Sequence, residues 1–494
     1  MTKFLMVQGT SSNAGKSSLV VAFCRILSDK GYSVAPLKAQ NMSSNLYITN
    51  DGLEMAKAQA IQAIAARTKP TPYMNPILLK PIGDYVSTVV LLGKRYRDMH
   101  AKYYYNNFIQ NAINYVEKAI KKLSKYDIVV IEGAGSPAEI NIMDYDIANM
   151  KLAEMLNAPV LIVADIERGG CFASIIGTME ILKPKHRRLV KGFIINKFRG
   201  DKTILHPAIT SIEKTTKKPV LGIVPFIDDM LLPNEDSLGV DLGRLKPDLI
   251  NIAIIKYPNV INITDFDLLS RSSNSLNVYY ATSVSQFSDA DLILLPPSRN
   301  IVADLKWMKD NGIADSIRAL RARKPVIGIC EGFIMMSNKI LDTNNINGLC
   351  LINTNVYADR KLTGTASLKI ASRNAIISNY GKVFNAYLRR DYKIVNGKNV
   401  HPLFHVLKLN GKYRKLSEGA ISSDGLAFGC CLYGLFDSSL IRNNLIKYLA
   451  RKKKISAITH SIGATTFWDK HIQRFSNTIK NNIDIEQIMN LMRL

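Results

Sequence analysis

Val7-Gln-Gly-Thr-Ser-Ser-Asn-Ala-Gly-Lys-Ser-Ser18 is the stretch that decides the fold. Four apolar residues, Phe4–Val7, precede the loop and predict a buried strand, and apolar residues at helical spacing predict a helix over Leu19–Leu27. A strand, a glycine-rich loop and a helix in this order are typical of a phosphate-binding loop. The backbone N–H groups and the helix N-terminus would bind a polyphosphate. We therefore predict that the chain binds a nucleotide.

Two side chains of this loop suit the chemistry of ATP and Mg²⁺. Lys16 can reach the β- and γ-phosphates, and the hydroxyl of Ser17 can ligate Mg²⁺. Five residues separate Gly9 from Gly15, one more than in the common form of the motif. The predicted nucleotide-binding residues of the loop are Gly9, Thr10, Asn13, Gly15, Lys16, Ser17 and Ser18.

The length, composition and charge of the chain limit the number of domains, the cellular location and the partners that we expect. A chain of 494 residues is too long for one hydrophobic core, so roughly two or three domains are expected. The sequence has no apolar run of about 18 residues and no room for a signal peptide, so we predict a cytoplasmic protein without a membrane partner. Six cysteines without metal-binding spacing indicate reduced thiols. The net charge of +25 is spread along the chain, which argues against a nucleic-acid partner and favours anionic substrates.

Further strands are predicted where β-branched apolar runs end in a polar or glycine-containing turn. In the first half they are Tyr32–Leu37, Tyr126–Ile131, Ala158–Ala164, Val190–Ile195 and Val220–Val224. After a break near residues 231–247, a second series is predicted at Ile252–Ile255, Val278–Ala281, Asp291–Leu295 and Pro325–Ile329. Strands that alternate with helices are typical of a doubly wound parallel sheet. We predict a domain at 1–240, another at 250–450, and a basic helical extension at 451–494 that packs on them.

Polar residues that follow the predicted strands are candidates for the site, because ligands of such sheets collect at the carboxyl ends of strands. Lys38 follows one strand, and Glu132 follows the next, where it could hold Mg²⁺ or be a solvated loop acid. Asp144 and Asp146 could serve metal, substrate or a helix cap. Later strand ends are followed by Asp165, Arg168 and Asn196.

A second candidate centre is Gly328-Ile-Cys-Glu-Gly332, at the end of a predicted strand. Its form, G-x-C-x-G, is the cysteine counterpart of the nucleophile elbow G-x-S-x-G. Cys330 is therefore either a nucleophile or a buried thiol in a strand–helix turn.

Together these segments resemble the cobyric acid synthase family over nearly the whole chain. The start of the second domain is marked by Thr264–Asp267. The other matching stretches are Gln8–Ser17, Leu37–Met42, Met74–Pro81, Ile131–Asn141, Ala164–Gly170 and Lys191–Asp201.

The resemblance implies a dethiobiotin-synthetase-like P-loop domain followed by a class I glutamine-amidotransferase-like α/β domain. It implies that ATP phosphorylates a corrinoid carboxylate and that ammonia displaces the phosphate, so that adenosylcobyrinic acid a,c-diamide becomes adenosylcobyric acid. By analogy with dethiobiotin synthetase, Glu54 and Glu132 would join Ser17 around Mg²⁺. Lys38 would face the substrate carboxylate and Asn196 the adenine. The charged residues expected at the corrinoid are Asp146, Asp165 and Arg168.

The second domain departs from the family pattern where its chemistry resides. Cys330 is retained, but Tyr433 stands where the family has histidine, and a tyrosine of ordinary pKa cannot replace an imidazole base near neutral pH. Ile334 replaces the glutamine expected after the cysteine, and Pro297 lacks an N–H beside the expected oxyanion hole. The stretch that aligns with the family's Tyr-Glu-Ile-His is approximately Ala386–Arg389. These departures predict a glutaminase scaffold without glutaminase chemistry, with nitrogen from glutamine in the family but from free ammonia or a separate ammonia source here.

Other functions stay open. Cobyrinic acid a,c-diamide synthase shares the architecture and the chemistry, although Lys38–Met42 and Asp165–Arg168 favour the cobyric acid synthase family. A partitioning-type switch ATPase with a partner protein shares the P-loop fold but would not need the second domain. A corrinoid carrier without catalysis would not need a complete P-loop and Glu132.

Overall fold

The structure is a computed structural model that describes residues 2–49, 51–83, 85–143, 145–227, 243–341, 345–459 and 463–494. It divides into two compact units. The first consists of Met1–Thr49, Leu53–Glu235 and Trp468–Leu494, and the second of Asn50–Gly52 and Asp236–Phe467. Most of the predicted break at 231–247 lies outside the described residues, as does Asp144.

The first unit has strands and helices in alternation. Its described strands are β1 (Lys3–Gly9), β2 (Val34–Leu37), β3 (Gln40–Met42), β4 (Leu46–Ile48), β5 (Glu54–Ala56), β6 (Ile77–Gly83), β7 (Val86–Leu91), β8 (Lys94–His100), β9 (Ile128–Glu132), β10 (Val160–Asp165), β11 (Val190–Phe198) and β12 (Val220–Pro225). The helices up to β12 are α1 (Lys16–Asp29), α2 (Lys57–Ala65), α3 (Ala101–Tyr103), α4 (Ile109–Leu123), α5 (Met150–Leu156), α6 (Cys171–Ile181), α7 (Pro184–Leu189) and α8 (His206–Thr216). A π-helical segment at Tyr104–Phe108 joins α3 to α4.

A parallel sheet forms the core of this unit. Its described strands run in the order β12-β11-β10-β1-β9-β2, and every neighbouring pair is parallel. All residues of β9 and β10 are buried, as expected for strands covered by helices on both faces. These strands coincide with the runs predicted for the first domain, so the doubly wound sheet is confirmed.

The position of β1 between β9 and β10 brings the functional strand ends together. Val7 of β1 is in register with Glu132 of β9, and Gly9 is in register with Val163 of β10. Asp165 at the end of β10 is in register with Asn196 of β11. The residues that follow these strands therefore meet at one edge of the sheet.

A smaller sheet of order β3-β6-β7-β8 was not predicted from the sequence. β3 begins at Gln40, two residues after Lys38, and pairs in parallel with β6. The pairs β6–β7 and β7–β8 are antiparallel. The chain thus enters this smaller sheet shortly after the end of β2, and a ligand is expected to bind at that end of β2.

The second unit joins a parallel half-sheet to long antiparallel strands. Its described strands are β13 (Ile250–Ile255), β14 (Leu276–Ala281), β15 (Leu292–Leu295), β16 (Val326–Ile329), β17 (Lys339–Leu341), β18 (Ile346–Asn347), β19 (Thr354–Ile370), β20 (Val383–Asn396), β21 (His401–Leu409), β22 (Lys412–Ile421), β23 (Ala427–Cys430) and β24 (Leu432–Tyr433). Its described helices are α9 (Asp267–Ser270), α10 (Val284–Phe287), α11 (Ile301–Asp310), α12 (Ile313–Leu320), α13 (Glu331–Met335) and α14 (Ser439–Lys453).

The sheet of the second unit has the order β14-β13-β15-β16-β23-β22-β21-β19-β17-β18, and β20 pairs with β19 and β24. The segment from β14 to β23 is parallel, and it contains the four strands predicted for the second domain. The long strands β19 to β22 are antiparallel and were not predicted. The α/β class of this domain is confirmed.

Two C-terminal helices follow, α15 (Ala464–Lys480) and α16 (Ile485–Leu491). Asp469 of α15 forms an ion pair with the buried Arg25 of α1. The segment between these helices bridges the edge strand β12, where Ile483 pairs with Gly222 and the N–H of Asp484 donates to the carbonyl of Leu221 at 2.9 Å. The end of the chain therefore packs on the P-loop helix and on the edge of the parallel sheet.

Candidate functional site

The loop between β1 and α1 is fixed by backbone contacts and by a special glycine. The N–H of Thr10 donates to the carbonyl of Val163 at 2.9 Å. Gly15 caps the N-terminus of α1 with a φ of 108°, and a Cβ there would lie 2.0 Å from Nδ2 of Asn196. Only glycine fits this position. The loop thereby brings the N–H groups of the first turn of α1 to the edge of the sheet, as a phosphate site requires.

Gly15→Ala is expected to weaken ATP binding by about tenfold or more, because left-handed strain of roughly 1–3 kcal/mol adds to the clash with Asn196. Isothermal titration with ATP measures the loss. Gly31→Ala is the matched control, since Gly31 has a similar φ of 95° and a Cβ added to it would meet no atom within 4 Å. We expect Gly31→Ala to lower the free energy of unfolding but not ATP affinity; equal affinities in the two variants would contradict the role of Gly15.

Two residues at the end of β11 donate hydrogen bonds to the backbone of the loop between β1 and α1. Nδ2 of Asn196 donates to the carbonyl of Ala14 at 2.9 Å. Nζ of Lys197 donates to the carbonyl of Asn13 at 2.8 Å and to Oδ2 of Asp165 at 2.7 Å. Asn196 thus contacts the loop backbone, and its predicted role at the adenine stays a prediction. Lys197 was missed as a loop-binding residue; its place directly after Asn196, at the end of a predicted strand, was the available signal.

Lys16 joins the P-loop to the loop that follows β9. Its Nζ donates to the carbonyl of Ser11 at 2.9 Å and to the carbonyl of Gly135 at 3.0 Å. The side chain is nearly buried. Its ammonium group is therefore held between two loops whose backbone carbonyls a phosphate could replace.

The carboxylate of Glu132 contacts two other predicted site residues, which come from separate segments of the chain. Its Oε1 accepts a hydrogen bond from Oγ of Ser17 at 2.7 Å and one from Nζ of Lys38 at 2.8 Å. The side chains of Lys38 and Glu132 are 4% and 0% exposed. The half-buried Ser17 and the buried Lys38 and Glu132 thus form one cluster at the carboxyl ends of β2 and β9 and at the start of α1.

Sequence reasoning missed two glutamines that bind the other oxygen of this carboxylate. Nε2 of Gln59 donates to Oε2 of Glu132 at 3.2 Å, and Nε2 of Gln62 donates to the same oxygen. Both are fully buried on α2. Two glutamines three residues apart among alanines and isoleucines, in Lys57–Ala65, place their amides on one helix face, and this was the signal that could have found them.

The donor set fits a magnesium ion. A hydroxyl and a carboxylate are the hard oxygen ligands that Mg²⁺ uses together with phosphate oxygens and water. The described residues contain no group of three or more His, Cys, Asp or Glu side chains able to hold a metal. Glu54, predicted as a further ligand, forms a partly buried ion pair with Lys80, and its role at the metal stays a prediction.

The residues predicted at the substrate have structural contacts in the loops after β9 and β10. Oδ1 of Asp146 accepts hydrogen bonds from the backbone N–H groups of Ala148 and Asn149 at 2.8 and 3.1 Å, and burial raises the pKa of this carboxyl. Asp165 binds Lys197, and Nε of the mostly exposed Arg168 lies 3.9 Å from Oδ2 of Asp165. Contact of these residues with a corrinoid stays a prediction.

The second candidate centre has the backbone geometry of a nucleophile elbow. Cys330 lies between β16 and α13 with φ 50° and ψ −115°. A Cβ at Gly332 would lie 2.0 Å from the carbonyl oxygen of Leu295, and one at Gly328 would lie 2.6 Å from Cα of Phe333. Both glycines are therefore required by the sharp turn, and the elbow predicted from the sequence is present.

The surroundings of Cys330 do not activate a thiol. Burial raises its pKa well above the usual range, and the neighbouring carboxyl groups of Glu331 and Asp265 raise it further. A nucleophilic cysteine needs the opposite shift, from a nearby cation or base. The thiol of Cys330 therefore stays protonated near neutral pH.

Tyr433, in the position of the family histidine, is paired with an arginine. Nη1 of Arg389 donates to the hydroxyl of Tyr433 at 3.4 Å, and the guanidinium lies 5.9 Å from the ring centroid. Burial, and then the charge of Glu331, raise the pKa of Tyr433 well above its ordinary value. His401 and His405 are exposed on β21. A tyrosine held in this way cannot serve as a general base near pH 7.

The other two departures from the family pattern, Ile334 and Pro297, lie in packed positions. Ile334 is buried in the hydrophobic core of the second unit. The carbonyl of Pro297 accepts a hydrogen bond from the N–H of Ile261 at 3.0 Å. Both residues contribute to the fold of the elbow region, and neither supplies a donor for an oxyanion.

Comparison with known protein families agrees with the division of the chain into two units. A family model described as "CobQ/CobB/MinD/ParA nucleotide binding domain" matches residues 5–238, and one described as "CobB/CobQ-like glutamine amidotransferase domain" matches residues 251–441. The fold and the site therefore define an ATP-dependent carbon–nitrogen ligase, built from a P-loop domain and a glutamine-amidotransferase-like domain.

Relatives identify the family. The cobyric acid synthase of Caldanaerobacter subterraneus subsp. tengcongensis is 38% identical over 99% of this chain and 98% of its own length. That of Moorella thermoacetica is 37% identical over 100% of this chain and 98% of its own length. The chain belongs to the cobyric acid synthase family. The solved structure of PurLQS from Thermotoga maritima is similar at 16% identity over 40% of this chain and 98% of that chain, with a TM-score of 0.34, too low to support an inference.

The full-length match confirms the resemblance seen in the sequence and the class of ATP-dependent ligase. Because these two relatives match almost from end to end and are cobyric acid synthases, a diamide synthase and a partitioning-type switch ATPase are not favoured. In the described part of the chain, no helix has the length and apolar character needed to cross a membrane.

Proposed function

We propose that this chain catalyses the ATP-dependent amidation of corrinoid side-chain carboxylates, converting adenosylcobyrinic acid a,c-diamide to adenosylcobyric acid in the cobalamin biosynthesis of the cytoplasm. The observation that carries the proposal is the cluster in which Ser17 and Lys38 bind one oxygen of the buried Glu132 beside the P-loop. Phosphoryl transfer to a carboxylate needs fixed positive charge and a metal-binding carboxylate at one place, and the ammonium of Lys38 beside the carboxylate of Glu132 supports both roles.

In the first step, the phosphorylation of the substrate carboxylate, the residues of the site have different roles. Lys16 and the N–H groups at the start of α1 bind the phosphates, and Ser17 and Glu132 would hold Mg²⁺, which would supply positive charge to neutralise the phosphates. Lys38 orients the substrate carboxylate. An oxygen of this carboxylate forms a bond to the γ-phosphorus while the bond to the β–γ bridging oxygen breaks and ADP leaves.

Ammonia completes the reaction. Its nitrogen attacks the acyl carbon, the bond from carbon to the phosphate oxygen breaks, and inorganic phosphate leaves as the nitrogen loses a proton and the amide forms. We propose that this ammonia is free in solution or comes from a separate protein. The raised pKa of the Cys330 thiol and the pairing of Tyr433 with Arg389 support this source over glutamine hydrolysis within the chain.

The purified protein, with Mg²⁺, ATP and ammonium, is expected to amidate the a,c-diamide and to release ADP only when this corrinoid is present. Mass spectrometry of the corrinoid and a coupled ADP assay measure both. Glu132→Gln keeps the size of the side chain but removes its charge, so it should lower turnover far more than it weakens corrinoid binding. Amidation of cobyrinic acid but not of its a,c-diamide would contradict the proposal, as would ATP hydrolysis independent of corrinoid.

A further inference from the structure

The two carboxylate oxygens of Glu132 have different kinds of partner. Oε2 accepts hydrogen bonds from the amides of Gln59 and Gln62, which are neutral. Oε1 accepts from the hydroxyl of Ser17 and from the ammonium of Lys38. The positive charge that contacts this buried carboxylate therefore lies on one side, the side that faces the P-loop.

The amide side is built to stay in place. Gln59 is itself held by Asn41, whose Nδ2 donates to Oε1 of Gln59 at 2.8 Å. Asn41, Gln59 and Gln62 are buried, so their side chains are fixed by packing. The neutral amides satisfy the hydrogen-bonding capacity of Oε2 without adding positive charge. They also orient the carboxylate so that Oε1 is directed at Ser17.

Lys38 occupies the oxygen that a metal would need. A magnesium ion held by Ser17 and Glu132 would be drawn to Oε1, since that is the oxygen in contact with the Ser17 hydroxyl. Nζ of Lys38 is 2.8 Å from the same atom. Two cations at such a distance from one oxygen repel each other strongly in a buried site.

We propose that Lys38 and the metal of Mg–ATP are alternative partners of Oε1 of Glu132, so that loading of the metal with its nucleotide releases Lys38 toward the substrate carboxylate. The inference rests on the proposed function, because it concerns the same site. Before loading, Lys38 compensates the buried charge of Glu132 and keeps the cluster assembled. It also excludes a bare divalent ion, which brings no phosphate oxygens with it. After loading, the ammonium group is available to the incoming carboxylate, so ATP is expected to bind before the corrinoid.

The test is binding of Mn²⁺ alone, followed by the electron paramagnetic resonance of the free ion, with full-length protein and no nucleotide. Lys38→Met should bind Mn²⁺ at least about tenfold more tightly than the wild type, because the ammonium that competes for Oε1 of Glu132 is then removed. Lys453→Met is the matched control. It removes a lysine from another partly buried pair, that with Asp291 in the second unit, and should leave Mn²⁺ affinity unchanged.

Each outcome is decisive. Unchanged or weaker Mn²⁺ binding by Lys38→Met would overturn the exchange, and so would an equal gain in Lys453→Met, since the gain would then follow from the loss of any lysine. If Lys38→Met does not fold, Lys38→Gln, which is neutral but can still donate to Glu132, is expected to show the same gain. Binding of Mg–ATP by the wild type separates this inference from the proposed function. A wild type that does not bind Mg–ATP contradicts the function, whereas one that does bind it, with no gain in Lys38→Met, contradicts the exchange alone.

Discussion

Lys16→Ala is expected to lower the rate of ATP-dependent amidation by at least about 10³-fold, because it removes the ammonium group that we propose neutralises the transferring phosphoryl group. Nζ of Lys16 is held by the carbonyls of Ser11 and Gly135, so in this position it needs little reorganisation to meet a phosphate. The fold should persist, since the parallel sheet and α1 do not depend on these two contacts. Turnover with saturating corrinoid and ammonium, and the midpoint of thermal unfolding, measure the two effects separately.

Lys30→Ala is the control at the opposite end of the same helix. Lys30 is partly exposed and pairs with Glu486, and such a pair contributes about 0–1 kcal/mol. We expect this variant to keep wild-type turnover. If Lys16→Ala retained turnover while its unfolding midpoint was unchanged, the assignment of the P-loop would be wrong.

The strands of both parallel sheets could be predicted because their sequences are almost continuously apolar. Strands buried on both faces have this pattern, and each predicted run coincides with a strand from β1 to β16. The position of Glu132 followed from the same pattern, since a charged residue ends the apolar run Ile128–Ile131. The contact of Ser17 with Glu132 needed only the general rule that ligands meet at carboxyl ends of parallel strands.

The smaller sheet and the antiparallel strands could not be predicted in this way. β8, Lys94–His100, has one buried residue, Met99, so its sequence shows neither an apolar run nor an alternation. β22 begins with four exposed residues at Lys412–Lys415. Such strands are stabilised by pairing with partners that are distant in the sequence, and single-sequence periodicity does not report on those partners.

Several site contacts depend on this tertiary pairing. Arg389 reaches Tyr433 because β20 pairs with β24, where Tyr387 is in register with Tyr433. Gln59 and Gln62 reach Glu132 because α2 packs on the central sheet, and nothing in the neighbouring sequence names the carboxylate as their partner. The sequence could therefore identify residues of the site, but not all of their partners.

The second large effect is expected in the choice of nitrogen donor. Glutamine should support amidation by this chain at a rate at least about 10⁴-fold below that of a glutaminase with a complete triad, whereas ammonium should support it well. A general base contributes about 10²–10⁴-fold and an oxyanion donor about 10²–10³-fold. Tyr433 does not supply the first, and Pro297 has no N–H with which to supply the second.

The pH dependence separates the two donors further. Burial raises the pKa of Cys330, so its thiolate stays scarce from about pH 7 to about pH 9, and glutamine should remain ineffective over this range. Ammonium-driven amidation should rise with pH instead, because a larger fraction of the ammonium is then deprotonated. Rates with each donor at several pH values, together with a direct glutaminase assay, measure this difference.

Cys330→Ser decides whether the elbow takes part. The serine keeps the size of the side chain in a turn that tolerates little change, as the close contacts at Gly328 and Gly332 indicate, so the second unit should fold. We expect the variant to amidate with ammonium at the wild-type rate, because the acyl phosphate accepts any ammonia that reaches it. If the wild type instead hydrolysed glutamine at a rate that matches amidation, and Cys330→Ser lost that activity but kept the reaction with ammonium, then the thiol is activated in a way that its buried, negatively charged surroundings oppose. The second unit would then be a working glutaminase, and Tyr433 with Arg389 would have to be its base.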